Sequence, residues 1–85
     1  MYRSSKQVKV STLYGDTILL NTNTGEYLSF NETGQLFWQA LINNKNEDEA
    51  LQTLLGQIDA SLDTLESSLD KFKDKLLQAN LIEKI

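Results

Sequence analysis

An α+β fold, a three-stranded antiparallel sheet followed by three helices, is predicted for this 85-residue chain by three observations. Runs rich in β-branched and aromatic residues fill the first third and are separated by turn-forming residues. From Leu36 onward apolar residues return at intervals of three and four, the period of a helix. Polar, capping-type residues stand at the junctions between these segments. The length suits one domain, residues 1–85, and a domain so small buries only roughly 60–65% of its unfolded surface.

The elements follow in order. A first strand is expected over about residues 6–13, turned by Gly15-Asp16 into a second, Asp16-Thr17-Ile18-Leu19-Leu20-Asn21. Thr22-Asn23-Thr24-Gly25 turns the chain again into Glu26-Tyr27-Leu28-Ser29-Phe30. Strand side chains alternate, so Leu28 and Phe30 share one face and Tyr27 and Ser29 the other. Asn31 is placed to accept a hydrogen bond from the amides of a helix carrying Leu36, Phe37, Leu41 and Ile42, with Trp38 beside that stripe in the core. Asn43-Asn44-Lys45 breaks the pattern. Asn46 and Glu49 then form a capping box for a helix through Ala50, Leu51, Leu54 and Leu55, ended by Gly56.

The last helix is the most regular segment. Leu62, Leu65, Leu69, Phe72, Leu76 and Ala79 make a single apolar stripe, with Asp63 and Glu66 expected as its N-terminal cap and Lys71, Lys73 and Lys75 nearer its C-terminal end. Asn80 suits the left-handed conformation that closes a helix, and Leu81-Ile82 folds back onto the core.

Composition narrows the chemistry. The chain has no Cys and no His, which removes thiol nucleophiles, thiolate metal sites and the commonest general base. No catalytic residue, cofactor or metal is expected; the Glu47-Asp48-Glu49 cluster is explained by its place at a helix N-terminus. No apolar run approaches the ~20 residues of a membrane span, and Met1-Tyr2-Arg3-Ser4-Ser5-Lys6 leads into Val8 without an apolar signal segment, so no membrane and a cytoplasmic location are expected. The formal charge of -4 opposes the counterion-release attraction that holds proteins on nucleic acid. With no Pro anywhere, an edge strand keeps every amide able to donate.

Residues Leu19-Leu20, Gly25-Glu26-Tyr27, Phe30-Asn31, Gly34, Phe37-Trp38, Leu69-Asp70 with Phe72, and Leu76 with Leu81-Ile82 occur in an order and spacing that resembles the PqqD-like family of leader-peptide recognition domains. The resemblance runs from Val8 to Ile82 and implies a small winged helix-turn-helix fold. Among its members the chain is most similar to the stand-alone B1 proteins of lasso-peptide biosynthesis, with coenzyme-PQQ precursor binding a neighbouring alternative. A DNA-binding winged helix is a further one.

The resemblance implies a non-enzymatic binding protein of ribosomally made, modified peptides. The leader of a precursor would add as a strand along Glu26, Tyr27, Leu28, Ser29 and Phe30, against the third helix. Leu28 and Phe30 would form the floor, and Leu69, Lys73, Leu76 and Leu77 the helical wall. Core packing is the competing account of Leu28, Phe30, Leu69 and Leu76. Lys73 and Leu77 share one flank of the stripe, off its centre, so an apolar Leu77 is not needed for the stripe itself. The implied partners are the leader peptide and a separate processing enzyme, in the lasso case a B2-like cysteine protease followed by a cyclase.

Overall fold

The computed structural model describes residues 2–85, in the order β1 (Tyr2–Ser4), β2 (Val8–Leu13), β3 (Asp16–Asn21), β4 (Tyr27–Phe30), α1 (Glu32–Asn43), α2 (Glu47–Leu55), α3 (Leu62–Gln78) and β5 (Ile82–Lys84). The predicted sheet is β2-β3-β4, antiparallel, and the three predicted helices follow it in a winged helix-turn-helix arrangement. Two strands were not foreseen: β1 and β5 pair with each other, Arg3 opposite Glu83, and that pair is locked by a 2.7 Å ion pair. The first predicted strand begins at Val8 instead of residue 6, because Lys6 and Gln7 turn the chain out of β1.

Local chemistry accounts for the boundaries. Tyr14 and Gly15 both adopt positive φ, 52° and 84°, as a two-residue hairpin loop with the twist of its strands requires. The second hairpin closes through Asn21. Its buried side chain accepts from the amides of Asn23 and Thr24 and donates from Nδ2 to the carbonyl of Asn80, 2.7 Å away, at the far end of α3. Asn31 and Asn46 cap α1 and α2 by accepting from Gly34 N–H and Glu49 N–H, as expected. Glu49 returns its carboxylate to Lys45 N–H, one residue before the position of a capping box.

The cap of α3 is corrected: Ser61, extended at φ -71°, accepts from Thr64 N–H, which starts the helix at Leu62 and puts Asp63 inside its first turn. Asn80 is left-handed, at φ 55°, as predicted. The core gathers Leu19 from β3, Trp38 and Leu41 from α1, Leu54 from α2, Leu65, Leu69 and Leu76 from α3, and Leu81 after it. No helix among the described residues is long and apolar enough to cross a membrane.

Candidate functional site

Among the described residues β4 has one hydrogen-bonded neighbour, β3, so its other edge is open there. The register decides which groups that edge presents. Asn21 N–H donates to Glu26 C=O at 2.8 Å, and β3 and β4 pair with Thr17 opposite Phe30, Ile18 opposite Ser29, Leu19 opposite Leu28 and Leu20 opposite Tyr27. Bonded and non-bonded pairs alternate in an antiparallel ladder, so Leu28 and Phe30 turn their backbone groups to β3. Tyr27 and Ser29 turn theirs outward. The free edge therefore offers the N–H and C=O of Tyr27 and of Ser29.

α3 runs alongside this edge in the reverse direction, tied to it at both ends. Near the start of β4, Asn80 Nδ2 donates to Glu26 Oε1 at 2.9 Å. At its end, the rings of Phe30 and Phe72 meet edge to face with centroids 5.2 Å apart, a favoured aromatic geometry. Where β4 passes into α1, a cleft of about 450 Å³ opens between the first turn of α1 and α3. Asn31, Thr33, Gly34 and Phe37 line one side, and Ser68, Lys71, Phe72 and Lys75 the other. Gly34 permits this junction. A Cβ there would stand 2.5 Å from Phe30 Cβ, so only glycine lets the end of the strand press against the helix start.

The predicted site residues separate into three groups. Glu26, Tyr27, Leu28, Ser29 and Phe30 lie together on the open strand, Leu28 and Phe30 half-buried on the helix side and Tyr27 68% exposed. Leu69 and Leu76 are 2% and 0% exposed and belong to the core, the competing account of them. Lys73 and Leu77, which the predicted helical wall includes, lie on the flank of α3 turned away from the cleft. Lys73 Nζ bonds Glu47 of α2 at 2.6 Å, reaches Asp70 at 3.5 Å and sits 5.8 Å from the centre of the Tyr2 ring. Its hydrogen bond to Glu47 holds the Lys73 ammonium above the usual lysine pKa, against the opposing effect of burial. Leu77, one turn further along the same flank, is 38% exposed.

The α3 residues that do border the cleft are Ser68, Lys71, Phe72 and Lys75. In the sequence they form a polar and cationic line at spacings of three and four beside Phe72, on the opposite flank from Lys73, with no periodicity that sets this flank apart from the other. Among the described residues no three His, Cys, Asp or Glu side chains gather to hold a metal ion.

Two solved structures share this fold. A structure described as TbiB1 in complex with the TbiA(beta) leader peptide superposes with a TM-score of 0.83 at 23% identity, over 98% of this chain and 96% of that one. A second, described as lasso peptide synthetase B1 complexed with the leader peptide, gives 0.84 at 19% identity over 98% of each chain. At these identities the likeness is one of fold. No curated protein sequence matches the chain. The family described as coenzyme PQQ synthesis protein D (PqqD) matches residues 16–82, strands and helices of the site included, and the chain belongs to that family.

Proposed function

We propose that this chain binds the leader segment of a ribosomally made precursor peptide by strand addition to β4 and presents it to a separate processing enzyme, without modifying the peptide itself. The observation that carries this reading is the open edge at Tyr27 and Ser29, Pro-free and flanked by α3, in a member of the PqqD family. An extended peptide would take its main-chain bonds from that edge and its side-chain contacts from Phe30, Phe72 and the cleft beyond them. The two similar structures, each of a B1-type protein with a leader peptide, favour lasso-peptide biosynthesis; on that reading the enzyme receiving the peptide would be a B2-like cysteine protease, and the site of action the cytoplasm. The family description favours a coenzyme-PQQ precursor as the second reading.

The test is a proline at the edge. Ser29→Pro removes an outward amide and leaves the bonds to β3 in place, so the domain should still unfold cooperatively; proline is tolerated on edge strands for this reason. Binding of a fluorescein-labelled candidate leader that the wild type binds should weaken on the order of tenfold or more, because one main-chain bond is lost and the ring obstructs the edge. Leu28→Pro, which deletes an amide bonded to β3, should unfold the sheet. Unchanged affinity in folded Ser29→Pro would remove strand addition from the account.

A further inference from the structure

The charge around the cleft is opposite to that of the molecule. The whole chain is at -4, yet Lys71 and Lys75 both border the cleft, exposed, and neither forms an ion pair among the described residues. Lys73, between them in sequence, is neutralised by Glu47 and Asp70 on the other flank. Lys71 and Lys75 stand one helical turn apart beside Phe72, and Gly34 and Phe37 line the same cleft. The other end of the strand carries the reverse sign, since among the described residues the Glu26 carboxylate there is met by the neutral amide of Asn80 and by no cation. The groove thus runs from negative at Glu26 to positive beyond Phe30.

We infer that the cleft at Lys71 and Lys75 is a specificity subsite for a large apolar side chain of the leader with a carboxylate within two residues of it, and that the charge gradient along the groove fixes the direction in which the peptide lies. This rests on the leader-binding reading and adds to it a sequence rule and a polarity. A peptide strand paired with Tyr27 and Ser29 that continues past Phe30 enters the cleft, where one apolar side chain fills the space between Phe72 and Gly34. The cleft measures about 450 Å³ and is open to solvent, so it receives a side chain without enclosing it. An Asp or Glu nearby then meets Lys71 or Lys75, and turning the peptide round would bring that carboxylate to Glu26 instead. Charge complementarity of this kind fixes register and orientation more than it adds affinity.

The 85-residue chain, immobilised, is used to select from a display library of random 14-residue peptides, in parallel with Lys71→Glu/Lys75→Glu, Lys71→Gln/Lys75→Gln and Lys73→Gln. The wild type should enrich an aromatic or aliphatic residue with Asp or Glu within two positions, always on the same side of the strand-pairing segment. Lys73→Gln should keep that preference, the Gln pair should lose the acidic bias while still selecting the apolar residue, and the Glu pair should turn the bias to Lys or Arg. A selected acidic peptide should bind the Glu pair on the order of tenfold more weakly at low salt, the gap closing near 1 M salt, where screening acts within ~3 Å. Peptides that are enriched and lost with Ser29→Pro but show no acidic bias would overturn the subsite and leave leader binding standing. No enrichment by the wild type would overturn both. Lys71 and Lys75 are exposed and Lys73 is part-buried in its pair with Glu47, so thermal unfolding of every variant is followed to confirm a folded sample.

Discussion

Leu69→Ala and Leu76→Ala are each expected to cost about 2–5 kcal/mol of folding stability, the range for emptying a fully buried leucine position. Both side chains are closed off from solvent between α3 and the rest of the core, Leu76 completely. Proteins of ordinary stability hold only ~5–15 kcal/mol in total, and a domain this small lies toward the low end, so either variant should lower the urea midpoint sharply and leave part of the population unfolded near 37 °C. Peptide affinity measured on the folded fraction should change little, because neither side chain reaches the cleft. Loss of binding in a variant of unchanged stability would return these leucines to the groove wall that the family resemblance implied for them.

The second large effect is expected at Gly34. A valine there places its Cβ 2.5 Å from Phe30 Cβ and 2.9 Å from Cγ, atoms fixed near the backbone of β4, which cannot swing aside as the tip of a long side chain would. Overpacking of this kind costs about 1–3 kcal/mol, occasionally more, and outweighs the ~1 kcal/mol or less that leaving glycine gains within a helix. The strain also falls on the binding face. Pushing Phe30 outward separates it from Phe72 and closes the cleft, so Gly34→Val should lose both stability and peptide affinity. Gly56→Ala is the matched control: at φ -78° and with no atom nearer than 3.5 Å to its Cβ, it should leave stability equal or slightly raised by denaturant titration. Equal melting of wild type and Gly34→Val would show that the strand and helix do not press together as described.

The order of the principal elements could be read from the sequence because each carries its own local signal. The Asn31 and Asn46 caps, the positive φ at Asn80 and the alternation of Leu28 with Tyr27 depend on neighbours a few residues away, and each is found where it was predicted. What was missed depends on distant partners. β1 and β5 are three residues each, too short for a period to declare itself, and they form because Tyr2–Ser4 meets Ile82–Lys84 from the opposite end of the chain. Asp63-x-x-Glu66 has the form of a capping box and so points to Asp63, whereas the cap observed is Ser61, which makes its bond without a returning carboxylate.

The helical wall shows the limit most clearly. A helical wheel gives the apolar stripe of α3 and two flanks on either side of it, Lys73 with Leu77 on one and Lys71 with Lys75 on the other. Nothing in the periodicity distinguishes them. The choice is made by tertiary contacts: Phe72 on Phe30 and Asn80 on Glu26 turn the second flank toward β4, while Glu47 and Tyr2 take up Lys73 on the first. The aromatic partner of Phe30 was within the predicted stripe all along, and its role became visible only once strand and helix were side by side.

Residue-resolved amide hydrogen exchange, with and without a peptide from the selection, tests strand addition most directly. In the free protein the amides of Leu28 and Phe30 are bonded to β3 and should already exchange slowly, while those of Tyr27 and Ser29 face outward and should exchange fast. On binding, Tyr27 and Ser29 should slow by at least an order of magnitude, with little change along the outward amides of β2 at Val10 and Thr12. Protection that leaves Tyr27 and Ser29 fast and appears instead on β2, or on α2 beside Lys73, would contradict a peptide strand on β4.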